Sequence, residues 1–289
     1  MKHSEMNKMD VDGTMEILSR LPVLEDVQGI DRPRSSKLWG WKIHCCYDGL
    51  VLVGVRNYPD KDFMLLLWNP STRESVVLPN PKFSQEVTCT WGLRYDSTSD
   101  DYKILKIDGK ERNEVLALKS GSWRNIDDHP TGDNCVLSDT DYLALRHGAL
   151  DCVDTPSNMG YLAFVHGAFH WVDSLLNHSV VTFSISDEVY GEIPLPEGLD
   201  LFFDIMQSKQ GVSVLGDMLC VYSTCIHIHL REYSFKLSVM NEYDVKESWN
   251  QLFTIQSTDL YSITPKYMFS DGEVLLRCSQ LRRSGSVTC

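Results

Sequence analysis

The chain has 289 residues, 27 Lys and Arg against 40 Asp and Glu, and a formal net charge of −13; 43% of its residues are apolar and 23% charged. Those shares are globular and exclude whole-chain disorder. The acidic balance argues against a nucleic-acid grip, and no run approaches the ~18 uncharged apolar residues of a membrane span.

From Met1 to Asp12 the chain is polar and lacks a hydrophobic signal core, so cytoplasm or nucleus is the expected location. Asp12 to Leu24 is the most helix-like stretch. Ile17, Leu18, Leu21 and Leu24 recur at three- and four-residue spacings and form one apolar stripe. Asp12 or Thr14 can cap it, and Pro22 ends or kinks it. Glu25–Lys37 sets Gly29, Pro33, Ser35 and Ser36 among charges and reads as a linker, running on to residue 44.

From Cys45 the pattern changes to period two. Leu50 and Leu52, Leu65 and Leu67, Val115 and Ala117, and Val180, Thr182 and Ser184 alternate across short runs. Turn residues punctuate these runs at Asn69–Pro70, Asp108–Gly109, Ser120–Gly121 and Asp271–Gly272, and no long helical stripe interrupts them. Residues 45–280 are therefore predicted to be an all-β domain, with 281–289 a flexible tail. A glycine turn followed by an apolar strand recurs at Gly49, Gly167, Gly216 and Gly272; with Gly109 added, the spacings are 60, 58, 49 and 56. A period near ~50 with about four strands per unit marks a propeller blade. Propeller-like repeats of short antiparallel strands are expected, with a large β-sandwich as the alternative.

Residues that carry chemistry are few. No Gly-rich phosphate loop, zincin helix, nucleophile elbow or Cys-x-x-Cys pair occurs. Cys225, His227 and His229 alternate on one strand, but three ligands from one strand cannot enclose a tetrahedral ion. His166 and His170, beside Trp171, read as ordinary strand residues, one of them facing solvent. Asp96–Asp101 lacks the glycine and distal glutamate of a calcium loop and reads as a solvated turn. Nine cysteines without a secretion signal read as reduced and mostly buried. Trp68, Trp91, Trp123, Trp171 and Trp249 recur near strand ends and read as core. No catalytic residue, cofactor or metal is expected.

Several segments then resemble one family. Met15-Glu-Ile-Leu-Ser-Arg-Leu-Pro-Val23 resembles the opening of a plant F-box. Leu67-Trp-Asn-Pro-Ser-Thr-Arg-Glu, closing at Leu78-Pro79, resembles the most characteristic strand of the F-box-associated domain. In the family's order follow Gly92-Leu-Arg-Tyr-Asp-Ser with Asp101-Tyr-Lys-Ile, Leu118-Lys-Ser-Gly-Ser-Trp-Arg124 and His166-Gly-Ala-Phe-His-Trp171. Phe183-Ser-Ile-Ser-Asp with Gly191-Glu-Ile-Pro-Leu-Pro196, and Tyr243-Asp-Val-Lys-Glu-Ser-Trp249, complete the series. Each is weak alone; the ordered series, covering 45–276, is specific. The chain resembles a plant F-box protein with an F-box-associated interaction domain, similar to the F-box/kelch-type and S-locus F-box groups.

The resemblance implies a substrate-recognition adaptor of a cullin-based, SCF-type ubiquitin ligase. The F-box would dock a Skp-family linker, and through it the cullin, while the β domain captures the protein to be ubiquitinated. Such an adaptor needs no catalytic residue, cofactor, nucleic acid or membrane. Docking would fall to Met15, Ile17, Leu18, Leu21 and Pro22. At this end the chain departs from the family: Met9–Asp10 stand where Leu-Pro opens an F-box, and after Val23 two further helices give way to Gln28–Lys37. Residues 1–24 then hold one helix of a three-helix module, and a ~10-residue helix is marginal in water and buries little surface. The alternative is an interaction module or decoy that has lost ligase docking through truncation of the F-box. Target contacts are expected in the long segments Asn57–Asp62, Asp128–Thr140, His147–Met159 and Gly198–Gln210.

Overall fold

The computed structural model describes residues 39–57, 63–82, 89–107, 113–126, 162–172, 179–196, 208–227, 232–258 and 260–280. Their strands form five sheets, each in chain order. The first is β1 (Trp39–Tyr47), β2 (Leu50–Asn57), β3 (Phe63–Asn69) and β4 (Glu74–Leu78); the second is β5 (Thr90–Asp96), β6 (Asp101–Ile107), β7 (Glu114–Ala117) and β8 (Ser122–Asn125). The third is β9 (Ala163–Val165), β10 (Ala168–Val172), β11 (Ser179–Ser184) and β12 (Tyr190–Pro194). The fourth is β13 (Ser208–Leu215), β14 (Met218–His227), β15 (Glu232–Met240) and β16 (Trp249–Ser257), and the fifth is the hairpin β17 (Leu260–Met268) and β18 (Val274–Gln280). Small antiparallel meanders following one another are propeller-like repeats; a sandwich would gather the strands into two large sheets.

The described residues separate into two compact units, one within Met1–Gln85 and Leu116–Trp123, the other within Glu86–Val115 and Arg124–Cys289. In the first, Val51, Val53 and Val55 of β2 pack with Leu66 and Trp68 of β3. Leu52 and Leu65, on the opposite face of the same strands, are fully buried too, so these inner strands are covered on both sides. The Trp123 indole donates to the Pro79 carbonyl at 2.7 Å, tying β8 to the end of β4.

In the second unit each sheet covers the next. Leu105, Ile107 and Val115 pack against Phe169, Trp171, Val181 and Phe183. Val165, Val180 and Ile193 pack against Val212, Leu219, Val221 and Met240. Leu237, Phe235 and Tyr222 meet Ile263, with Met268, Val274 and Leu276 alongside. Gly92 is required by this stacking, since a Cβ there would collide with the Phe169 ring. Trp249 donates to the Pro194 carbonyl at 2.9 Å, the same indole-to-proline bond as in the first unit.

The turns explain several of the family-like segments. Asp48–Gly49 and His166–Gly167 both have positive φ at two consecutive residues, the twist-matched geometry of a two-residue hairpin. In the first three sheets the third-to-fourth strand turns share another form: Arg73 N–H donates to Asn69 O, Gly121 N–H to Ala117 O and Glu188 N–H to Ser184 O. Each closing residue is left-handed, at φ 63, 61 and 57. In the first of them the Asn69 side chain accepts from the amides of Ser71 and Thr72, which is what the Asn-Pro-Ser-Thr run is for.

The helix read over Asp12–Leu24, with Met15, Ile17, Leu18, Leu21 and Pro22, and the tail 281–289 lie outside the described residues. Two sequence readings are corrected. β1 begins at Trp39, inside the segment taken as linker to residue 44; Gly40 and Lys42 dilute its apolar average, but its register with β2 runs unbroken from Trp39 to Ile43. Gly109, counted as the second repeat glycine, falls outside the described residues, between β6 and β7. The turn equivalent to Gly49 in that sheet is Asp96–Asp101, where Asp100 takes the left-handed conformation (φ 53) without glycine.

Trp68 and Trp171 are 3% and 5% exposed. Trp→Ala at either is expected to cost about 3–5 kcal/mol, as loss of a large buried ring does. Denaturant midpoints of the two variants check this; a cost under ~1 kcal/mol would contradict the packing described.

Candidate functional site

Each four-stranded sheet is a meander, so its two ends differ. Strands one and two, and strands three and four, are joined at one end, by tight turns in the first three sheets and, between β15 and β16 of the fourth, by the longer connection Asn241–Ser248. At the other end the second strand leaves for the third, and the fourth leaves for the next sheet. Asn57–Asp62 joins β2 to β3, Asp128–Thr140 and His147–Met159 fall between β8 and β9, and Gly198–Gln210 leads from β12 into β13. All four candidate segments therefore leave from this second end of their own sheets. Apart from Asn57 in β2 and Ser208–Gln210 in β13 they lie outside the described residues.

The tight-turn end of the second unit is held by charge. Lys103 Nζ lies 2.9 Å from Asp96 Oδ2 and 2.9 Å from Glu188 Oε1, and donates to the Ile185 carbonyl at 2.8 Å. Arg124 adds a second cation 2.7 Å from Glu188 Oε1. Burial by itself would raise the Asp96 pKa, but hydrogen bonds from Ser99, Lys103, Thr98 and Ser186 hold it well below the usual carboxylate range. Burial likewise disfavours the Lys103 ammonium, and Glu188 and Asp96 more than compensate, keeping it charged. The reading of Asp96–Asp101 as a solvated turn is corrected here. Residues 97–100 are exposed, but Asp96 is 1% and Asp101 7% exposed, because the Asp96 carboxylate turns inward to meet Lys103.

An aromatic clasp joins the third and fourth sheets at the same end. The buried His170 ring meets the Tyr243 hydroxyl at 2.9 Å, and the exposed His166 ring lies over Tyr243 with centroids 4.4 Å apart. One histidine thus faces solvent, as read from the sequence, although it stands in a turn. Burial pushes the His170 pKa down to about 4, with the nearby His166 contributing in the same direction. Within the second sheet, Lys106 and Glu114 form an ion pair at 3.1 Å, and both side chains are fully buried.

These groups are committed to one another, and their chemistry is that of joints. Among the described residues no three His, Cys, Asp or Glu could hold a metal ion; Cys225 and His227 lie on β14, and His229 is outside. Burial pushes the Cys220 thiol up to about 12, which leaves little reactive thiolate at neutral pH. Sequence reasoning missed Lys103, Lys106, Glu114 and Glu188. The available signal was two lysines interrupting the apolar run Lys103-Ile-Leu-Lys-Ile107 on a strand with apolar positions on both faces.

Sheets of this kind, with one indole-to-proline bond in each unit, define a propeller-like domain. A family model described as the F-box associated beta propeller domain matches residues 25–289, and the chain belongs to that family. It is 26% identical over 230 residues to F-box protein CPR1 of Arabidopsis thaliana, covering 71% of this chain and 50% of that protein. It is 24% identical over 230 residues to F-box/kelch-repeat protein At3g23880 of the same plant, covering 75% and 54%. A putative F-box protein, At3g16210, is 26% identical over 159 residues, covering 53% and 36%. The chain thus spans about half or less of the length of these relatives.

Two outcomes follow. His170 is neutral in the fold, so below its unfolded pKa of 6.5 the unfolded chain takes up a proton that the fold refuses. Stability should therefore fall as pH drops from 6.5 to about 4, by on the order of 1 kcal/mol per pH unit for this ring; burial and the nearby Lys42 push the His44 pKa down to about 3, which adds a parallel loss, and Asp96 adds a further one below the ordinary carboxylate value of 3.8. Urea titrations across this range check it, and His170→Phe should remove its share of the upper limb while that of His44 remains. Glu114→Ala strands the buried Lys106 ammonium and should cost about 3–5 kcal/mol, whereas replacing both residues by apolar ones of similar size should cost far less; the double-mutant comparison measures both.

Proposed function

We propose that the chain is the substrate-recognition adaptor of a cullin-based ubiquitin ligase and that its β domain captures the protein to be ubiquitinated. The observation that carries this reading is the difference between the two ends of the first three sheets. One end is closed by tight turns, pinned by the Lys103 ion pairs and the His170–Tyr243 clasp. The other sends out the long connections, and binding residues concentrate on loops positioned by a rigid scaffold. Membership of the F-box-associated family supports the reading. The adaptor brings a target to the ligase and performs no bond-making step itself. It works in the cytoplasm or nucleus and needs no cofactor. Among the described residues no helix is long and apolar enough to cross a membrane.

Docking to the Skp-family linker falls to Met15, Ile17, Leu18, Leu21 and Pro22. One helix offers a fraction of the contact that three would, while the entropic cost of association stays nearly the same, so affinity drops more than in proportion. Titration calorimetry of the full chain with a purified Skp-family linker should show binding at least about tenfold weaker than that of a complete F-box, abolished by Leu21→Asp. A second reading is favoured by the sequence after Val23, where Gln28–Lys37 stands in place of the further F-box segments: a module or decoy that binds its target outside the ligase. Absence of heat with the linker at every concentration, together with retained target binding, would replace the first reading by the second.

A further inference from the structure

The fifth sheet differs from the other four. It has two strands where they have four, and β17 is the strand lying against β13, β14 and β15. β18 is therefore the outer strand, and among the described residues no strand pairs with its far edge. One face of the hairpin packs inward through Ile263, Met268, Val274 and Leu276. The other carries Tyr267 opposite Leu275 and Thr264 opposite Arg277, with the Tyr267 and Phe269 rings edge to face at 5.0 Å. Tyr267, Phe269 and Leu275 are exposed at 44%, 46% and 51%, which makes this the largest group of exposed apolar side chains on any one described hairpin. An open edge beside a largely apolar exposed face is what sheet proteins avoid unless something covers it.

We propose that β18 pairs antiparallel with β18 of a second copy of this chain, completing a four-stranded sheet β17–β18–β18–β17 across a two-fold axis. The backbone sets the permitted registers. Phe269 N–H donates to the Glu273 carbonyl, so that carbonyl faces β17, and alternation turns the amides and carbonyls of Val274, Leu276 and Cys278 outward. A two-fold axis normal to the sheet must then place residues of equal parity opposite one another. Centred on Arg277, the pairing opposes two guanidiniums; centred on Leu276, it sets Leu275 against Arg277. Centred on Leu275, it sets Leu275 against Leu275, Val274 against Leu276, and Glu273 against Arg277 twice. This last register has two opposite-charge pairs and no mismatched side chain, and both charged residues are exposed and available. It joins the two outward clusters of Tyr267 and Leu275 into one apolar strip. A ladder of about five residues per copy falls short of the ~1,200 Å² of a tight interface, so the dimer is weak and forms in the micromolar range.

Sedimentation velocity of the full chain from low to high micromolar concentration tests this. A reversible monomer–dimer equilibrium is expected. Arg277→Glu and Glu273→Arg should each weaken it by about tenfold, because each turns two attractive pairs into repulsive ones. The double variant should restore dimerisation to within about twofold of the parent, since it rebuilds both pairs with the charges exchanged. Both side chains are exposed, so unchanged thermal midpoints will separate loss of pairing from loss of fold. A chain that stays monomeric throughout, or a dimer indifferent to the single reversals, would overturn the proposal. So would slow amide exchange of Leu276 in the dilute monomer, which would place another segment of this chain on the edge.

Discussion

A sheet of four strands, most of them five to ten residues long, cannot bury its own faces. This constraint governs the second unit. Phe169, Val181 and Phe183 are fully covered only because Leu105, Ile107 and Val115 of the preceding sheet lie against them. Val180 and Ile193 depend in the same way on Val212 and Val221 of the following sheet. At about 25 cal/mol for each Å² of apolar surface removed from water, these shared faces are the main source of stability, and no sheet has them alone. Close stacking also requires small residues where rings meet backbone, which is why Gly92 faces Phe169.

Sheets covered on both faces leave little room for unpaired polar groups. Lys106 and Glu114 are fully buried and solve the problem by pairing with each other; Lys103 does so through Asp96, Glu188 and the Ile185 carbonyl. Such pairs contribute little net stability against apolar replacements of equal size, but a wrong register would leave a charge stranded in the interior. Lys103 reaches from β6 to the turn after β11, so its pairing is met only when the second and third sheets stand in their native arrangement. The indole-to-proline bonds of Trp123 and Trp249 impose the same condition on outer strands.

These joints sit at the tight-turn end, and that placement links packing to function. A recognition surface gains affinity when the ordering entropy of its scaffold is already met before the partner arrives. The His166–Tyr243–His170 clasp and the Lys103 cluster hold strand ends in place. At the opposite end, β8 and β12 lead into the long connections. The proposed adaptor role is well served by this separation.

Period-two patterning and turn chemistry are local properties, and they determined the all-β class, the blade-sized repeat and the hairpins at Gly49, Gly167, Gly216 and Gly272. The ordered family-like segments likewise identified the domain, because several encode a turn whose residues lie close in the chain, as Asn69 to Arg73 do. Burial is different. Asp96 looked solvated because its neighbours Ser97 to Asp100 are, and its carboxylate turns inward only because Lys103 and Ser186 meet it there. The apolar run around Lys106 hinted at its burial but did not name Glu114 as its partner, and β1 was hidden by Gly40 and Lys42 until β2 supplied its register. Local sequence sets which conformations a segment can adopt at low cost; which of its groups leave water depends on atoms tens of residues away, and only the tertiary structure brings those together.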